Sequence, residues 1–318
     1  MRSLRNPVPR LANVVRSQTV AALTKAFLQE DINFLVTNRI PRRQATLLIG
    51  WFSRIRSRRL TRLSVGMWNM FDDLHLDEAK TRDFASLRDC FVRELRAGAR
   101  HVDQNPCVIT SPCDAVVGAF GCVREDQAIQ AKGFPYRIKD LLGDDRLVDR
   151  HRGGKFLTLR LRASMYHRFH APCDGRVRTL RYISGDTWNV NPIALKRLEK
   201  LFCRNERAVL PLELSIPNAY VTLVPVAAIL VASIRLHFID TALNLKYDGA
   251  ADIPCDAQFP KGQELGYFES GSTIVMFTSG EFEFSRNLVE GSTIQMGEAL
   301  LTHPAPISAI GENDESFK

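Results

Sequence analysis

The sequence predicts an α+β fold, in which a helical N-terminal region precedes a β-rich domain built as a barrel or a sandwich. Residues 1–100 place apolar side chains at helical spacing among many arginines. From residue 101, short β-branched runs alternate with turns rich in glycine, proline and aspartate, the pattern of layered or closed sheets. We therefore predict two domains, residues 1–100 and residues 101–318, which a length of 318 residues permits.

The helical region contains a basic amphipathic segment. Leu48, Trp51, Phe52 and Ile55 share one helical face, and seven arginines lie between positions 42 and 62. Such a face suits the headgroup layer of an anionic membrane, where each arginine contributes about 1 kcal/mol. The alternative is a helix packed on its own domain with a solvated basic rim. Nucleic acid is not expected as a partner, because no nucleic-acid-binding motif accompanies the charge.

Further helices are predicted over Asp77–Ala97, with a break near Phe84, and over Asn191–Leu201. Residues after Ile307 are polar and are expected to fray. The predicted strands are β-branched runs between turn signals. They are Cys107–Thr110, Ala115–Phe120, Phe156–Leu161, Gly175–Tyr182, Ala208–Glu213, Tyr220–Leu236, Gly271–Phe277 and Ser292–Gln295.

Composition and charge limit the class of protein. The net charge is +8 and the isoelectric point is about 9.3, which suits nucleic acid, an anionic membrane or a phosphate-bearing substrate. The seven cysteines include no C-x-x-C pair, which argues against structural zinc and a disulfide framework and favours a reducing compartment. No apolar run is long enough to span a bilayer. The arginine-rich N-terminus, with no acid before Glu30, also has the composition of a mitochondrial transit peptide.

Three short segments carry residues that can do chemistry. Asp114 precedes a predicted strand, and His167 and His170 form an H-x-x-H pair. Ser272 follows Gly271 in a Gly-Ser-Thr sequence. Each alone has an ordinary interpretation as a turn or a surface group, and no metal site is predicted because further ligands are not evident. Together they supply an acid, a base and a hydroxyl, the set that activates a serine nucleophile.

These segments, in this order, resemble the bacterial phosphatidylserine decarboxylase family over residues 41–301, nearly the whole chain. A colinear series of blocks carries the resemblance and is far more specific than any one of them. The blocks are Phe91–Arg96, Gln130–Gly133, Tyr166–Pro172, Gly185–Asn191, Arg204–Arg207 and Lys261–Gly266.

The resemblance implies a self-processing lyase whose triad corresponds to Asp114, His170 and Ser272. In this scheme His170 deprotonates Ser272, and Asp114 orients the imidazole. The serine oxygen attacks the carbonyl carbon of Gly271, and β-elimination then cuts the chain. The products implied are a β chain and an α chain, which meet at the bond between residues 271 and 272.

The β chain would hold residues 1–271 and the α chain residues 272–318. The resemblance implies that Ser272 becomes a covalent pyruvoyl group, the cofactor that forms a Schiff base with the substrate amine. It also implies a role in decarboxylation for the first histidine of the pair, His167.

The chain departs from the family pattern at two positions. Ser270 stands where leucine is usual, and Ala115 stands where glycine is usual. A turn that needed a positive φ at residue 115 would disfavour alanine by about 1 kcal/mol. The hydrophobic run Ile274–Phe277 follows Ser272 as in the family. Ser292, in a second Gly-Ser-Thr, lies in a segment that resembles the family's downstream strand and turn, so its processing is not expected.

The predicted function is conversion of phosphatidylserine to phosphatidylethanolamine and carbon dioxide by a zymogen that cuts itself. The basic amphipathic region favours a lipid over a soluble amino acid, which is the first alternative substrate. The second alternative is an unprocessed β-rich binding module without activity. The resemblance also implies a homodimer of αβ units, formed from the protein's own cleaved chains. It would lie peripherally on the cytoplasmic side of a bacterial inner membrane that contains phosphatidylserine.

Overall fold

The computed structural model of the protein describes residues 41–69, 72–131, 134–216, 218–229, 233–269 and 272–307. These residues belong to one compact unit that begins at Pro41. Their secondary structure combines many antiparallel strands with a few short helices, which confirms the predicted α+β class. The predictions made for residues 1–40 and 308–318 lie outside the described residues.

The helices and strands are short and are named here in chain order. The helices are α1 (Arg42–Ser53), α2 (Arg58–Trp68), α3 (Leu87–Phe91), α4 (Ile138–Leu142), α5 (Asp145–His151), α6 (Pro192–Leu195) and α7 (Leu201–Arg204). The strands are β1 (Val108–Thr110), β2 (Ala115–Cys122), β3 (Gln127–Ala131), β4 (Phe134–Arg137), β5 (Lys155–Leu161), β6 (Arg168–His170), β7 (Gly175–Ile183), β8 (Arg207–Glu213), β9 (Tyr220–Ala227), β10 (Ser233–Leu236), β11 (Leu243–Asn244), β12 (Asp252–Phe259), β13 (Glu264–Phe268), β14 (Ser272–Thr278), β15 (Glu283–Phe284), β16 (Thr293–Ile294) and β17 (Ala299–Thr302).

Side-chain caps set several helix starts. Ser57 caps α2 and Ser86 caps α3, each by accepting a hydrogen bond from the backbone amide three residues further on. Asn191 caps α6 in the same way, and Pro192 follows it at the first helical position, where no amide hydrogen is needed. Local sequence therefore decides where these helices begin.

Three predicted elements differ from the structure. The helix predicted over Asp77–Ala97 is wrong: α3 is its only helical part, and Ala79 forms a bridge with Leu95. The predicted helix over residues 191–201 is helical only in α6 and at Leu201, because turns occupy residues 196–200 and Lys200, which precedes α7, has a left-handed φ of 54°. The strand predicted over residues 220–236 is two strands, β9 and β10, which belong to different sheets.

The strands form one large antiparallel sheet and smaller ones. The large sheet has eight strands in the order β12-β7-β8-β9-β14-β5-β2-β16. The others have the orders β11-β10-β13-β6, β1-β17-β15 and β3-β4. Within the described part of the chain no sheet closes on itself, so the predicted barrel is wrong. The main core contains Ile274 of β14, Phe169 of β6 and Leu301 of β17, and therefore lies between the sheets.

Strand β14 lies inside the large sheet, paired with β5 on one side and β9 on the other. All seven of its residues are buried. Ile274 faces the core shared with the four-stranded sheet, whereas Val275 faces a second core on the opposite side. Because side chains alternate along a strand, Ser272 points to the same side as Ile274, toward the sheet that contains β6.

Helix α1 packs against the loop that follows β7 and leaves one face open. Arg42 pairs with Asp186, with Nε 3.1 Å from Oδ1, and its guanidinium lies 3.5 Å from the ring centre of Trp188. Large apolar side chains of α1 and α2 remain exposed and are called the apolar face below. They are Leu47, Leu48, Trp51, Leu63 and Met67. None of the described helices is long and apolar enough to span a membrane.

Candidate active site

Ser272 begins β14 with a hydroxyl that is buried and has no hydrogen-bond partner among the described residues. Its backbone pairs in register with Leu161 of β5 and Ala227 of β9. Leaving a buried hydroxyl without a partner is unfavourable by about 1–3 kcal/mol. Such groups are rare enough in native proteins to require an explanation, and one explanation is chemical use.

His167 lies beside the two chain segments that flank Ser272. Its Nε2 donates a hydrogen bond to the carbonyl oxygen of Arg162, 3.1 Å away, just after the end of β5. Its own carbonyl accepts a hydrogen bond from the amide of Phe268, at 3.0 Å and four residues before Ser272. The carbonyl of Arg162 therefore holds the ring of His167, and the bond to Phe268 holds its backbone.

Both histidines of the pair are neutral at pH 7. Burial, together with the positive charge of Arg93, lowers the pKa of His167 to about 4. Burial also lowers the pKa of His170. A neutral imidazole has one unprotonated nitrogen and can accept a proton from a hydroxyl. The site therefore holds two potential bases in the correct protonation state.

His170 makes its hydrogen bonds to groups other than Ser272. Its Nδ1 donates to the carbonyl oxygen of Gly262 at 3.0 Å, and its Nε2 accepts from the hydroxyl of Tyr166 at 3.1 Å. Burial raises the pKa of Tyr166, which keeps that hydroxyl protonated. The predicted contact of His170 with the serine is absent from the described structure, and the role of His170 in processing stays a prediction.

Asp114 is bound by an arginine instead of a histidine. Arg100 Nε lies 2.8 Å from Oδ1 of Asp114, which also accepts a hydrogen bond from the amide of Met296 at 2.9 Å. The two side chains are only 7% and 9% exposed. The charge of Asp114 acts on His170 at longer range, where it opposes the larger effect of burial on the histidine pKa. The backbone still links the two, because the amide of His170 donates to the carbonyl of Pro112 at 2.8 Å.

A buried carboxylate fixes the chain just before the predicted cleavage site. Glu269 has no exposed side-chain surface. Arg88 Nε lies 2.9 Å from its Oε1, and Arg54 Nη2 lies 2.9 Å from its Oε2. Since Arg54 directly follows helix α1 as its C-cap, this cluster connects that helix with the segment that leads into Ser272.

Comparison with known proteins decides the family. A family model described as phosphatidylserine decarboxylase matches residues 87–302. The phosphatidylserine decarboxylase proenzymes of Vibrio cholerae and Vibrio parahaemolyticus are each 35% identical to the chain, over 81% of this chain and 94% of theirs. The proenzyme of Erwinia tasmaniensis is 33% identical, over 83% of this chain and 91% of its own.

The chain belongs to the phosphatidylserine decarboxylase family. The resemblance stated from the sequence is thereby confirmed. The range matched by the phosphatidylserine decarboxylase model contains all four candidate residues, Asp114, His167, His170 and Ser272, while helices α1 and α2 precede it.

Two expectations about this phosphatidylserine decarboxylase chain concern single residues. Ala115 lies in β2 without a positive φ, so the strain considered for alanine does not arise. Ser270 and Gly271 lie outside the described residues, and the effect of Ser270 on processing stays a prediction.

His167 and His170 bind separate partners, and no cluster of three potential metal ligands occurs in the described part of the chain.

Sequence reasoning missed three residues of this site. Tyr166 had the clearest signal, because it lies in the same short block as both histidines. Glu269 had a weaker one, a carboxylate that directly follows a strand and lies three residues before Ser272. Arg100 had none, since nothing distinguishes it among the 43 basic residues.

Proposed function

We propose that the chain is a self-processing phosphatidylserine decarboxylase, which converts phosphatidylserine to phosphatidylethanolamine and carbon dioxide. The observation that carries the proposal is the family match over residues 87–302, which includes every candidate residue. The buried, unpartnered hydroxyl of Ser272 at the start of a central strand supports it independently.

In the proposed processing, Ser272 Oγ loses its proton to a neutral histidine and attacks the carbonyl carbon of Gly271. An ester C–O bond forms as the peptide C–N bond breaks, which leaves the nitrogen of residue 272 as a free amine. β-Elimination removes the Cα proton and breaks the Cβ–Oγ bond, so that residue 271 ends in a carboxylate. Tautomerisation and addition of water then release ammonia and leave a pyruvoyl group at residue 272.

The surroundings of Ser272 suit such a group. The buried neighbours Leu161 and Ala227 exclude water from the strand end, and no side chain competes for the Oγ position among the described residues. The group supplies a carbonyl that condenses with the substrate amine and accepts the electron pair released with carbon dioxide. His167, held beside the strand end, is assigned the proton transfer of this second reaction, and His170 is assigned the removal of the serine proton.

Intact-mass measurement tests the processing. Wild type should give two chains, residues 1–271 and residues 272–318, the second with a blocked N-terminus that reacts with carbonyl reagents. Ser272→Ala should stay whole and inactive. Ser292→Ala is the matched control, because Ser292 lies in the second Gly-Ser-Thr with a half-buried side chain that donates a hydrogen bond to the carbonyl of Val289, and it should be cut like wild type. An uncut wild type, or a cut Ser272→Ala, would contradict the proposal.

A substrate comparison separates the alternatives. Cleaved protein should release carbon dioxide from dispersed phosphatidylserine and not from free serine or other amino acids. Release from an amino acid alone would indicate the soluble-substrate relative. No cleavage and no release would indicate a binding module without activity.

The proposed place of action is the surface of an anionic membrane. The apolar face contains Leu48 and Trp51, which are 61% and 65% exposed, and Arg56 and Arg59 are exposed nearby. Apolar side chains beside arginines match the interfacial region of such a membrane. The peripheral position on a bacterial inner membrane stays a prediction. The homodimer also stays a prediction, which sedimentation equilibrium would test.

Vesicle flotation tests the membrane contact. The double variant Leu48→Ser and Trp51→Ser should bind vesicles containing phosphatidylglycerol at least about tenfold more weakly than wild type, because each side chain contributes about 1.5–3 kcal/mol when buried. Ile129→Ser, which replaces an exposed apolar residue of the hairpin β3–β4, should bind like wild type. Equal binding by all three proteins would exclude this face as the contact.

A further inference from the structure

A cavity of about 330 Å³ lies between helix α1 and the outer face of the four-stranded sheet. We call it the α1 pocket. The lining residues that matter here are Leu47, Trp51, Arg54, Ser233, Lys246 and Glu269.

The charge of the α1 pocket is positive. Arg54 and Lys246 supply two cations: Arg54 pairs with Glu269 at 2.9 Å, whereas the ammonium of Lys246 forms no ion pair with any described residue. Glu269 is the one carboxylate among the described lining residues, and Arg88 already binds it from outside the pocket, at 2.9 Å. The pocket is therefore suited to an anion.

A buried hydroxyl in the α1 pocket lacks a partner. Ser233 is only 4% exposed, and its Oγ makes no hydrogen bond with any described residue. Its neighbour Ile234 points into the main core, so the alternation along β10 directs Ser233 to the opposite face, toward α1. An acceptor oxygen bound in the pocket would satisfy this hydroxyl, which is otherwise unfavourable to bury.

The mouth of the α1 pocket is apolar. Leu47 and Trp51 line it and are 42% and 65% exposed. A free phosphate or another soluble anion has no apolar group that could contact these side chains. A phosphodiester that carries acyl chains has such groups, because its anionic group can reach Lys246 while its chains lie along the apolar face.

The α1 pocket is directly connected to the reactive chain segment. Glu269 lies three residues before Ser272, and its amide donates to the carbonyl of Ser233 at 3.3 Å. In a serine phospholipid only a few bonds separate the phosphate from the amine. A phosphate held in this pocket would therefore keep the amine near Glu269, on the chain segment that leads into β14.

We propose that the α1 pocket binds the phosphodiester of phosphatidylserine through Lys246, Arg54 and the hydroxyl of Ser233. This inference rests on the proposed function, since it assigns the part of the substrate that the pocket holds. It makes Lys246 and Ser233 substrate-binding residues outside the four candidate residues of the reaction.

Titration with dihexanoyl phosphatidylethanolamine below its micelle concentration tests the pocket without a membrane surface. Lys246→Gln should weaken binding about tenfold, because it removes a charge-assisted hydrogen bond. Ser233→Ala should weaken it by a smaller factor. Lys196→Gln replaces another exposed lysine, which caps the C-terminus of α6 and does not line the α1 pocket, and should bind like wild type. Equal affinity of Lys246→Gln and Lys196→Gln would overturn the inference.

Kinetics with dihexanoyl phosphatidylserine give the second measurement. Lys246→Gln should raise KM about tenfold with kcat nearly unchanged, and intact mass should show normal cleavage. A change in kcat alone would overturn the binding role. An uncleaved wild type would contradict the proposed function, while the titration, which needs no cleavage, would still decide on the pocket.

Discussion

Arg100 holds the carboxylate of Asp114 in a buried ion pair, with Nε 2.8 Å from Oδ1. The same oxygen accepts the amide of Met296, so the carboxylate is fixed by two partners outside the histidine pair. Asp114 therefore acts on His170 through its charge and through the backbone link at Pro112. In the processing proposed above, Arg100 would be the residue that positions the acid, Asp114.

Replacing Arg100 should reduce both stability and processing. Arg100→Gln leaves the buried carboxylate of Asp114 without its cation, which lowers the free energy of unfolding by about 3 kcal/mol or more. Urea unfolding in the uncleaved Ser272→Ala background isolates this effect from cleavage. The single variant Arg100→Gln, in which Ser272 is intact, should cleave itself more slowly than wild type. Intact-mass measurement over time gives the two rates.

Arg96→Gln is the control for this variant, since Arg96 is exposed four residues earlier. Its free energy of unfolding should stay within about 0.5 kcal/mol of the parent. If Arg100→Gln changed the free energy of unfolding as little as Arg96→Gln, the ion pair with Asp114 would not stabilise the site.

Glu269 should be a positioning residue for the cleavage. Glu269→Gln keeps the size of the side chain but removes the charge that binds Arg88 and Arg54. The segment before Ser272 then loses its fixed position, and a small displacement at a reacting group slows a reaction by about tenfold or more. A time course of cleavage after cell-free synthesis measures the rate.

Glu290→Gln is the matched control, because Glu290 is an exposed carboxylate just before the second Gly-Ser-Thr. It should be cleaved at the wild-type rate. Circular dichroism of Glu269→Gln should resemble that of wild type, so that slow cleavage is not confused with unfolding. Cleavage of Glu269→Gln at the wild-type rate would remove this residue from the processing machinery.

The positions of buried strands were predictable from the sequence. The pairing of strands that lie far apart in the chain was not. The strand predicted over Phe156–Leu161 differs from β5 by one residue, because Leu157, Leu159 and Leu161 recur at the two-residue period of a strand after a pair of turn glycines. Strand β12 was missed, since it lies at the sheet edge, contains Pro254 and is mostly solvent-accessible. Whether sheets close into a barrel depends on pairings that local periodicity does not contain.

The candidate site shows the same division. Asp114, both histidines and Ser272 were identifiable because they lie in short blocks that resemble one family. The partners that hold them were not, since the approach of Arg100 to Asp114 or of Arg88 to Glu269 depends on tertiary packing. Sequence therefore supplied the candidate reacting groups, and the structure supplied the side chains that contact them.

Close packing at Gly266 should make it intolerant of a side chain. A Cβ at this position in β13 would lie 2.0 Å from the carbonyl oxygen of Arg235 in the neighbouring strand. Gly266→Ala should lower the free energy of unfolding by about 2 kcal/mol or more, because the backbone must move. Gly66→Ala in helix α2, where a Cβ meets nothing within 4 Å, should be neutral or stabilising by up to about 1 kcal/mol. Urea unfolding in the Ser272→Ala background compares the two, and equal stabilities would contradict the packing argument.

Two buried histidines should make the protein less stable in mild acid. Burial lowers the pKa of both His151 and His167 to about 4. In the unfolded chain each pKa returns to about 6.5, so between pH 6.5 and pH 4 the unfolded state binds protons that the folded state does not. The free energy of unfolding therefore falls as the pH falls through this window, by up to about 3 kcal/mol for each histidine. Above pH 6.5 both states hold neutral rings and this contribution does not change.

His151→Gln tests this dependence, because glutamine can still hydrogen-bond to the hydroxyl of Thr222, which lies 2.7 Å from the imidazole, but does not titrate. In the Ser272→Ala background, the loss of unfolding free energy between pH 7 and pH 5 should be smaller in His151→Gln than in the parent by about 2 kcal/mol. His75→Gln is the control, since the side chain of His75 is 60% exposed, and it should keep the pH dependence of the parent. If His151→Gln and the parent lost the same free energy over this range, the buried ring of His151 would not be the source of the acid sensitivity.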